Sequence, residues 1–230
     1  YYYSFMKVQI YTIQSIEEAE SLLNLGVDNI GLTPASIGLP GEITVELAKS
    51  IFTSVKSSNN IALSVSNNVN EILDMTFEVK PDVLHLCGEE GLLSDKDLFS
   101  LKSKIQSDNN YIKLMQAVSV DNWDSVDLAK KYSKIADYLI LDTSTTEVEG
   151  IGASGDTHDW NISRAIVDNV SIPVVLAGGL SPENVQQAIT KVNPWAVDSL
   201  THTNKFFEDG SFIKDLKKVE NFVNNSKNQI

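Results

Sequence analysis

Short apolar, β-branched runs alternate along the chain with stretches whose apolar positions recur at helical spacing. The runs are 7–13 (KVQIYTI), 29–33 (NIGLT), 61–66 (IALSVS), 83–88 (VLHLCG), 112–118 (IKLMQAV), 138–143 (YLILDT), 173–179 (PVVLAGG) and 196–201 (AVDSLT). Most are continuously apolar rather than alternating, as strands buried on both faces of a parallel sheet are. Helix signals fill the intervals. Ser15-Ile16-Glu17-Glu18 reads as a capping box, and Gly26 as the left-handed end of the helix it opens. Residues 45–55, 69–79, 95–105 and 123–132 carry the helical period. Ser181-Pro182-Glu183 is a further helix start: a capping Ser, a Pro in the first turn, then an acid that suits the dipole. Residues 212–223 read as the closing helix.

This rhythm gives about eight strand–helix units, each averaging under about 30 residues, close to the least a (β/α)8 barrel needs. An open doubly wound sheet also alternates, but its phosphate loop follows the first strand. Here the run 7–13 holds no glycine, and the glycine-rich turn follows the seventh run. The expected fold is α/β, a closed (β/α)8 TIM barrel, as one domain over 6–230. Residues 1–5 (YYYSF) precede Met6 and read as an added remnant or a short natural extension. They lack the basic, apolar and small-residue segments of a secretory signal, so a cytoplasmic location is expected.

The seventh run leads into Ala177-Gly178-Gly179-Leu180-Ser181-Pro182-Glu183-Asn184. Paired glycines let a backbone approach a ligand closely. A helix N-terminus beyond them supplies unpaired N–H donors and partial positive charge. In (β/α)8 barrels a phosphate site is frequently built from the loops after strands seven and eight. Gly178, Gly179 and Ser181 are therefore candidate phosphate ligands.

Charge narrows the partners. Lys+Arg of 18 against Asp+Glu of 31 leaves a net charge of −13. That sign argues against nucleic acid and against an anionic membrane, both of which need a basic face. A backbone phosphate cradle is local and does not conflict with it. Cys87 is the single cysteine, so no intrachain disulfide or cysteine-rich metal site is available.

The run 173–184 (PVVLAGGLSPEN) resembles the seventh strand and loop of phosphoribosylanthranilate isomerase, the Amadori-rearrangement enzymes of tryptophan biosynthesis. Residues 83–90 (VLHLCGEE) resemble that family's VQLHGDE, 138–143 its LLLDT, 152–160 (GASGDTHDW) its GGTGKTFDW, and Ala196-Val197-Asp198 its GVD. The resemblance spans residues 7 to 223. It implies a ribulose-phosphate-binding type of barrel, with a small phosphorylated sugar or ribosyl compound as substrate and no cofactor. It implies that Asp142, at the end of strand six, is the general acid. Gly155 falls among its substrate-side residues, and Thr201 and His202 in the phosphate-holding segment, where the family has SSG; Asp198, inside strand eight, is either a member of a buried network or a substrate ligand.

The departures bear on the chemistry. The family's base, the cysteine of a KICG motif, falls on Tyr11, and the following glycine on Thr12. A phenol with a pKa of about 10 is a poorer base at neutral pH than a thiol at about 8.5. The arginine implied in holding the anthranilate carboxylate falls on Gly41. The family's LHG histidine becomes Cys87, and the glutamine two residues before it becomes His85. Those two share one face of strand four, so His85, Cys87 and Tyr11 are the candidates for a replacement base. His158 stands where the family has an apolar residue, and its role is open. His85 with Asp142 or Asp198 is the one combination that imitates the metal ligands of related barrels, and no metal is expected.

Three readings follow. The first is an isomerase or related lyase on a phosphorylated sugar, with a changed substrate or weak family activity. The second is a non-catalytic phosphate-ligand binder or regulatory relic. The third is a genuine phosphoribosylanthranilate isomerase with a substitute base. The oligomeric state is left open.

Overall fold

A computed structural model describes residues 6–107, 111–143 and 157–227. Eight parallel strands close on themselves in sequence order: β1 (Lys7–Tyr11), β2 (Asn29–Leu32), β3 (Asn59–Ser64), β4 (Val83–Leu86), β5 (Lys113–Ser119), β6 (Tyr138–Asp142), β7 (Val174–Leu176) and β8 (Ala196–Ser199). β8 returns to β1 with Gln9 opposite Asp198 and Lys7 opposite Ala196. Helices α1 (Ile16–Asn24), α2 (Val45–Ser54), α3 (Val69–Val79), α4 (Asp95–Ile105), α5 (Asp124–Tyr132), α6 (Trp160–Asn169), α7 (Val185–Val192) and α8 (Leu216–Lys227) follow the strands in turn. The chain is a (β/α)8 barrel, as its pattern predicts.

Alternation along each strand builds two apolar shells. Ile61, Val83, Met115, Ile140, Val175 and Ala196 point inward and fill the barrel. Val8, Ile30, Leu84, Leu114, Leu139 and Val197 point outward into the layer beneath the helices. This is why the runs read as continuously apolar: both faces of each strand are buried.

Several expectations need correction. The Ser15 hydroxyl accepts from Glu18 N, as a capping box requires, but Glu18 does not close the box on Ser15. Its carboxylate takes Gln14 N at 2.8 Å and Lys214 N at 2.7 Å, tying the start of α1 to a segment about 200 residues away. Residues 212–214 are not helical. Phe212–Lys214 forms β10, which pairs antiparallel with β9 (Asn204–Phe206) as a small hairpin between β8 and α8. Helix α7 begins at Val185 rather than at Ser181, whose hydroxyl accepts from Glu183 N in the preceding turn. Helix α6, which apolar spacing alone does not flag, is opened by Asp159, whose side chain accepts from Asn161 N.

At the opposite end from the strand C-termini, Asp28 ties the start of β2 to β1 and to α8. It accepts from Val8 N at 3.0 Å and pairs with Lys7 at 3.1 Å and Lys227 at 2.8 Å. Burial alone would raise its pKa, but Lys227, the Val8 N–H and Lys7 hold it below the ordinary carboxylate value.

Candidate functional site

The C-terminal ends of β6, β7 and β8 surround a cleft of about 280 Å³, counting its open mouth. Asp142, Gly178, Gly179, Leu180, Asp198, Ser199, Leu200, Thr201 and His202 line it. Five of the residues assigned from sequence to acid catalysis or phosphate binding thus meet in one place, with Asp198 beside them.

The glycine turn has a physical requirement for glycine. Gly178 and Gly179 adopt φ of +76° and +62°, in the left-handed region that side chains disfavour. A Cβ on Gly178 would lie 2.7 Å from both His158 Nδ1 and Thr143 Oγ1. The turn is shaped from behind by Asn184, whose Nδ2 donates to Gly179 O at 2.9 Å and whose Oδ1 accepts from Ser181 N at 2.8 Å. Ser181 is therefore turned toward α7 and does not line the cleft, and its N–H is already taken. Ser199 Oγ donates to Leu180 O at 2.8 Å, fastening β8 to the same turn. Thr201 and His202 lie in a short 3-10 turn, Thr201–Thr203, that carries the chain off β8 across the cleft. Asn184 and Ser199 are supports that motif reading passes over; the signal for Asn184 was its place three residues beyond Ser181, within hydrogen-bonding reach of the turn.

Asp142 ends β6. Burial pushes its carboxyl up to about 7, against Thr143 N–H, which donates to Oδ1 at 2.7 Å. Asp198 is 5% exposed, and its pKa is raised by burial and by the field of Asp142, with Gln9 and Lys214 acting in the opposite direction. The Gln9 amide lies beside it without completing a well-formed hydrogen bond, and Asp198 Oδ1 has no partner among the described residues.

Tyr11, His85 and Cys87 lie inside the barrel and do not line the cleft. The Tyr11 ring lies across Gly31, where a Cβ would run into it. Its hydroxyl is 2.7 Å from His85 Nδ1. Burial and the fields of Asp198, Cys87 and Asp142 raise the Tyr11 pKa well above 10, and burial lowers that of His85 to about 3. Both are neutral at physiological pH, and the imidazole tautomer sets which of the two donates. A phenol this hard to ionise is a poor general base. Cys87 packs in the same interior cluster.

Three other positions complete the comparison with expectation. His158 bridges Ser163 Oγ at 2.7 Å and Thr143 Oγ1 at 3.3 Å behind Gly178, and burial lowers its pKa to about 4. Gly41 has a φ of +70°, and a Cβ there would meet Phe212 Cζ at 2.6 Å, so the hairpin fills the room where the family's arginine would begin. Gly155 lies outside the described residues. Among the described residues no three His, Cys, Asp or Glu side chains gather as a metal site would require. No helix among them is long and apolar enough to cross a membrane.

The family described as N-(5'-phosphoribosyl)anthranilate (PRA) isomerase matches residues 8–225. An N-(5'-phosphoribosyl)anthranilate isomerase of Methanocella arvoryzae is 31% identical over 219 residues, 94% of this chain and 96% of its own. An N-(5'-phosphoribosyl)anthranilate isomerase 2 of Methanosarcina mazei is 31% identical, over 97% of this chain and 95% of its own. The crystal structure of phosphoribosyl anthranilate isomerase from Thermotoga maritima superposes with a TM-score of 0.78 at 30% identity, covering 97% of this chain and all of that one. Another solved phosphoribosyl anthranilate isomerase, 27% identical with a TM-score of 0.75 over 97% of this chain and all of its own, holds reduced 1-(o-carboxyphenylamino)-1-deoxyribulose 5-phosphate.

Proposed function

We propose that this chain, which belongs to the N-(5'-phosphoribosyl)anthranilate isomerase family, catalyses an Amadori-type aldose–ketose rearrangement of a 5-phosphoribosylated amine. The observation that carries the reading is a single cleft in which an aspartic acid with a pKa of about 7 faces a glycine turn built for an anion. The phosphate dianion sits on backbone N–H groups around Gly178 and Gly179 and on the Thr201 and His202 segment, where local dipoles outweigh the net charge. That anchors the ribose so that its ring oxygen meets Asp142. Asp142 gives its proton to the ring oxygen, the C1′–O bond opens, and an iminium forms. Loss of the C2′ proton to a base then yields an enolamine that tautomerises to the ketose. Confinement of the acid and the anchored phosphate in one cleft makes the proton transfer effectively intramolecular.

The expectation of a changed substrate or weak activity rests on Tyr11 and Gly41 and finds no support in the relatives, which carry the isomerase name. Phosphoribosylanthranilate is therefore the substrate to test. One observation favours the binder reading: the family's base position is held by a phenol whose hydroxyl is bonded to His85. A turnover assay separates the two. The expected outcome is conversion of phosphoribosylanthranilate, with Asp142→Asn lowering kcat/KM by about 100-fold or more. Inactive wild-type protein that still binds inorganic phosphate would favour the binder.

A further inference from the structure

We infer that Asp198 is the proton acceptor of this site, paired with Asp142 in a two-carboxylate arrangement that takes over the work of the family's cysteine. The inference rests on the isomerase reading above and supplies the base that reading lacks.

Asp142 ends β6 and Asp198 lies in β8, the two strands that flank β7 and its glycine turn. Both side chains line the cleft in which the phosphate turn opens. Asp198 is almost fully buried, and one of its carboxylate oxygens has no partner among the described residues. A buried acceptor without a partner is costly, and this one belongs to a side chain that lines the cleft. The field of Asp142 reaches Asp198 and disfavours a second charge there. Two such groups in one low-dielectric cleft do not both ionise readily, so the pair holds a proton between them near neutral pH. One member is then a donor and the other an acceptor.

The neighbours decide which is which. Facing Asp198 are the Gln9 amide from β1, the Lys214 amine from β10, the Tyr11 phenol and Asp142 itself. Lys214 is 4% exposed and is held by Asn204 Oδ1 at 2.6 Å. Burial lowers its pKa to about 7, with Glu18 and Asp198 acting against that. Its positive form favours the carboxylate of Asp198. Among the described residues no cation acts on Asp142 in the same way: burial favours its protonated form, and the Thr143 N–H offsets that only in part. The acceptor thereby moves one strand, from β1 to its register partner β8, where Asp198 stands opposite Gln9, two residues below Tyr11.

The cycle balances. Asp142 protonates the ring oxygen, and the C1′–O bonding pair leaves with that oxygen. The Asp198 carboxylate removes the C2′ proton, and the C2′–H electrons form the C1′=C2′ bond of the enolamine. The proton on Asp198 is then delivered to C1′ as the C2′ hydroxyl proton returns to Asp142, leaving the ketone and both carboxyls restored.

The test is turnover of phosphoribosylanthranilate by Asp198→Asn and Asp198→Ala, with inorganic phosphate titration and circular dichroism as controls for binding and fold. Expected are a loss in kcat of about 100-fold or more with KM changed far less, and saturable recovery of Asp198→Ala by formate. Wild-type turnover together with an Asp198→Asn rate within threefold of it overturns the role and leaves the isomerase reading standing. No wild-type turnover overturns that reading and this role with it. Should both variants fail to fold, carboxyl-carbon NMR titration of the wild type decides. Two coupled steps assigned to Asp142 and Asp198 support the pair, and independent titrations at ordinary carboxylate values overturn it.

Discussion

At the end of β6, the Asp142 side chain keeps its proton to about pH 7 because burial disfavours the charge more than one N–H can repay. In the proposed reaction its protonated form is the acid, so kcat/KM for phosphoribosylanthranilate should fall as pH rises through about 7 in a pH–rate profile. The same raised value affects stability. Its contribution is fully present below 3.8 and is lost as pH rises toward the folded value of about 7. Asp142→Asn should therefore be more stable than the wild type at alkaline pH, by about 1–4 kcal/mol in urea unfolding, where each pKa unit is worth about 1.4 kcal/mol. Gly41 makes a second prediction at this scale. Its left-handed backbone and the Phe212 ring leave no room for a side chain. Gly41→Arg alone should cost about 1–3 kcal/mol and give no gain in affinity for the anthranilate carboxylate. Asp142 was legible in sequence because it ends an apolar run within a specific motif. The Tyr11–His85 bond was not, because it joins residues 74 positions apart through the barrel interior.

The turn after β7 and the segment before α6 behave as one element, because His158 packs against Gly178 and bonds both Thr143 and Ser163. Gly178→Ala should displace His158, lower stability by about 1–3 kcal/mol and weaken inorganic phosphate binding in calorimetry. His85 is buried and His158 half-buried, and both are neutral, with values lowered to about 3 and about 4. A depressed histidine contributes stability above its unfolded value near 6.5, and that stability is lost as pH falls toward the folded value. His158→Phe should flatten the fall in Tm between about pH 6.5 and 4, leaving the His85 part. The glycine turn was legible as a tight turn after β7 because the left-handed backbone at Gly178 and Gly179 calls for glycine. Ser181 misled because a Ser-Pro-Glu start looks the same whether it caps a helix or the turn before one. The β9–β10 hairpin escaped because 212–223 combines a strand and a helix in one apolar stretch.

The barrel as a whole was readable because its strands are buried on both faces and their order is fixed by the rhythm of the chain. What sequence alone could not place is how the ends close, since that depends on ion pairs between distant segments. Asp28 is the main one. Its pKa is depressed, so its contribution is present above the unfolded value of 3.8 and lost as pH falls through the lower folded value. Asp28→Asn should cost about 1–3 kcal/mol at neutral pH and little in strong acid, by chemical denaturation. The seam between β1 and β8 also orders events during synthesis. The β1 edge has no partner until β8 has emerged from the ribosome, and Lys227 arrives later still. A nascent chain therefore carries an open strand edge through nearly all of its translation, the period in which edge-to-edge association threatens it most.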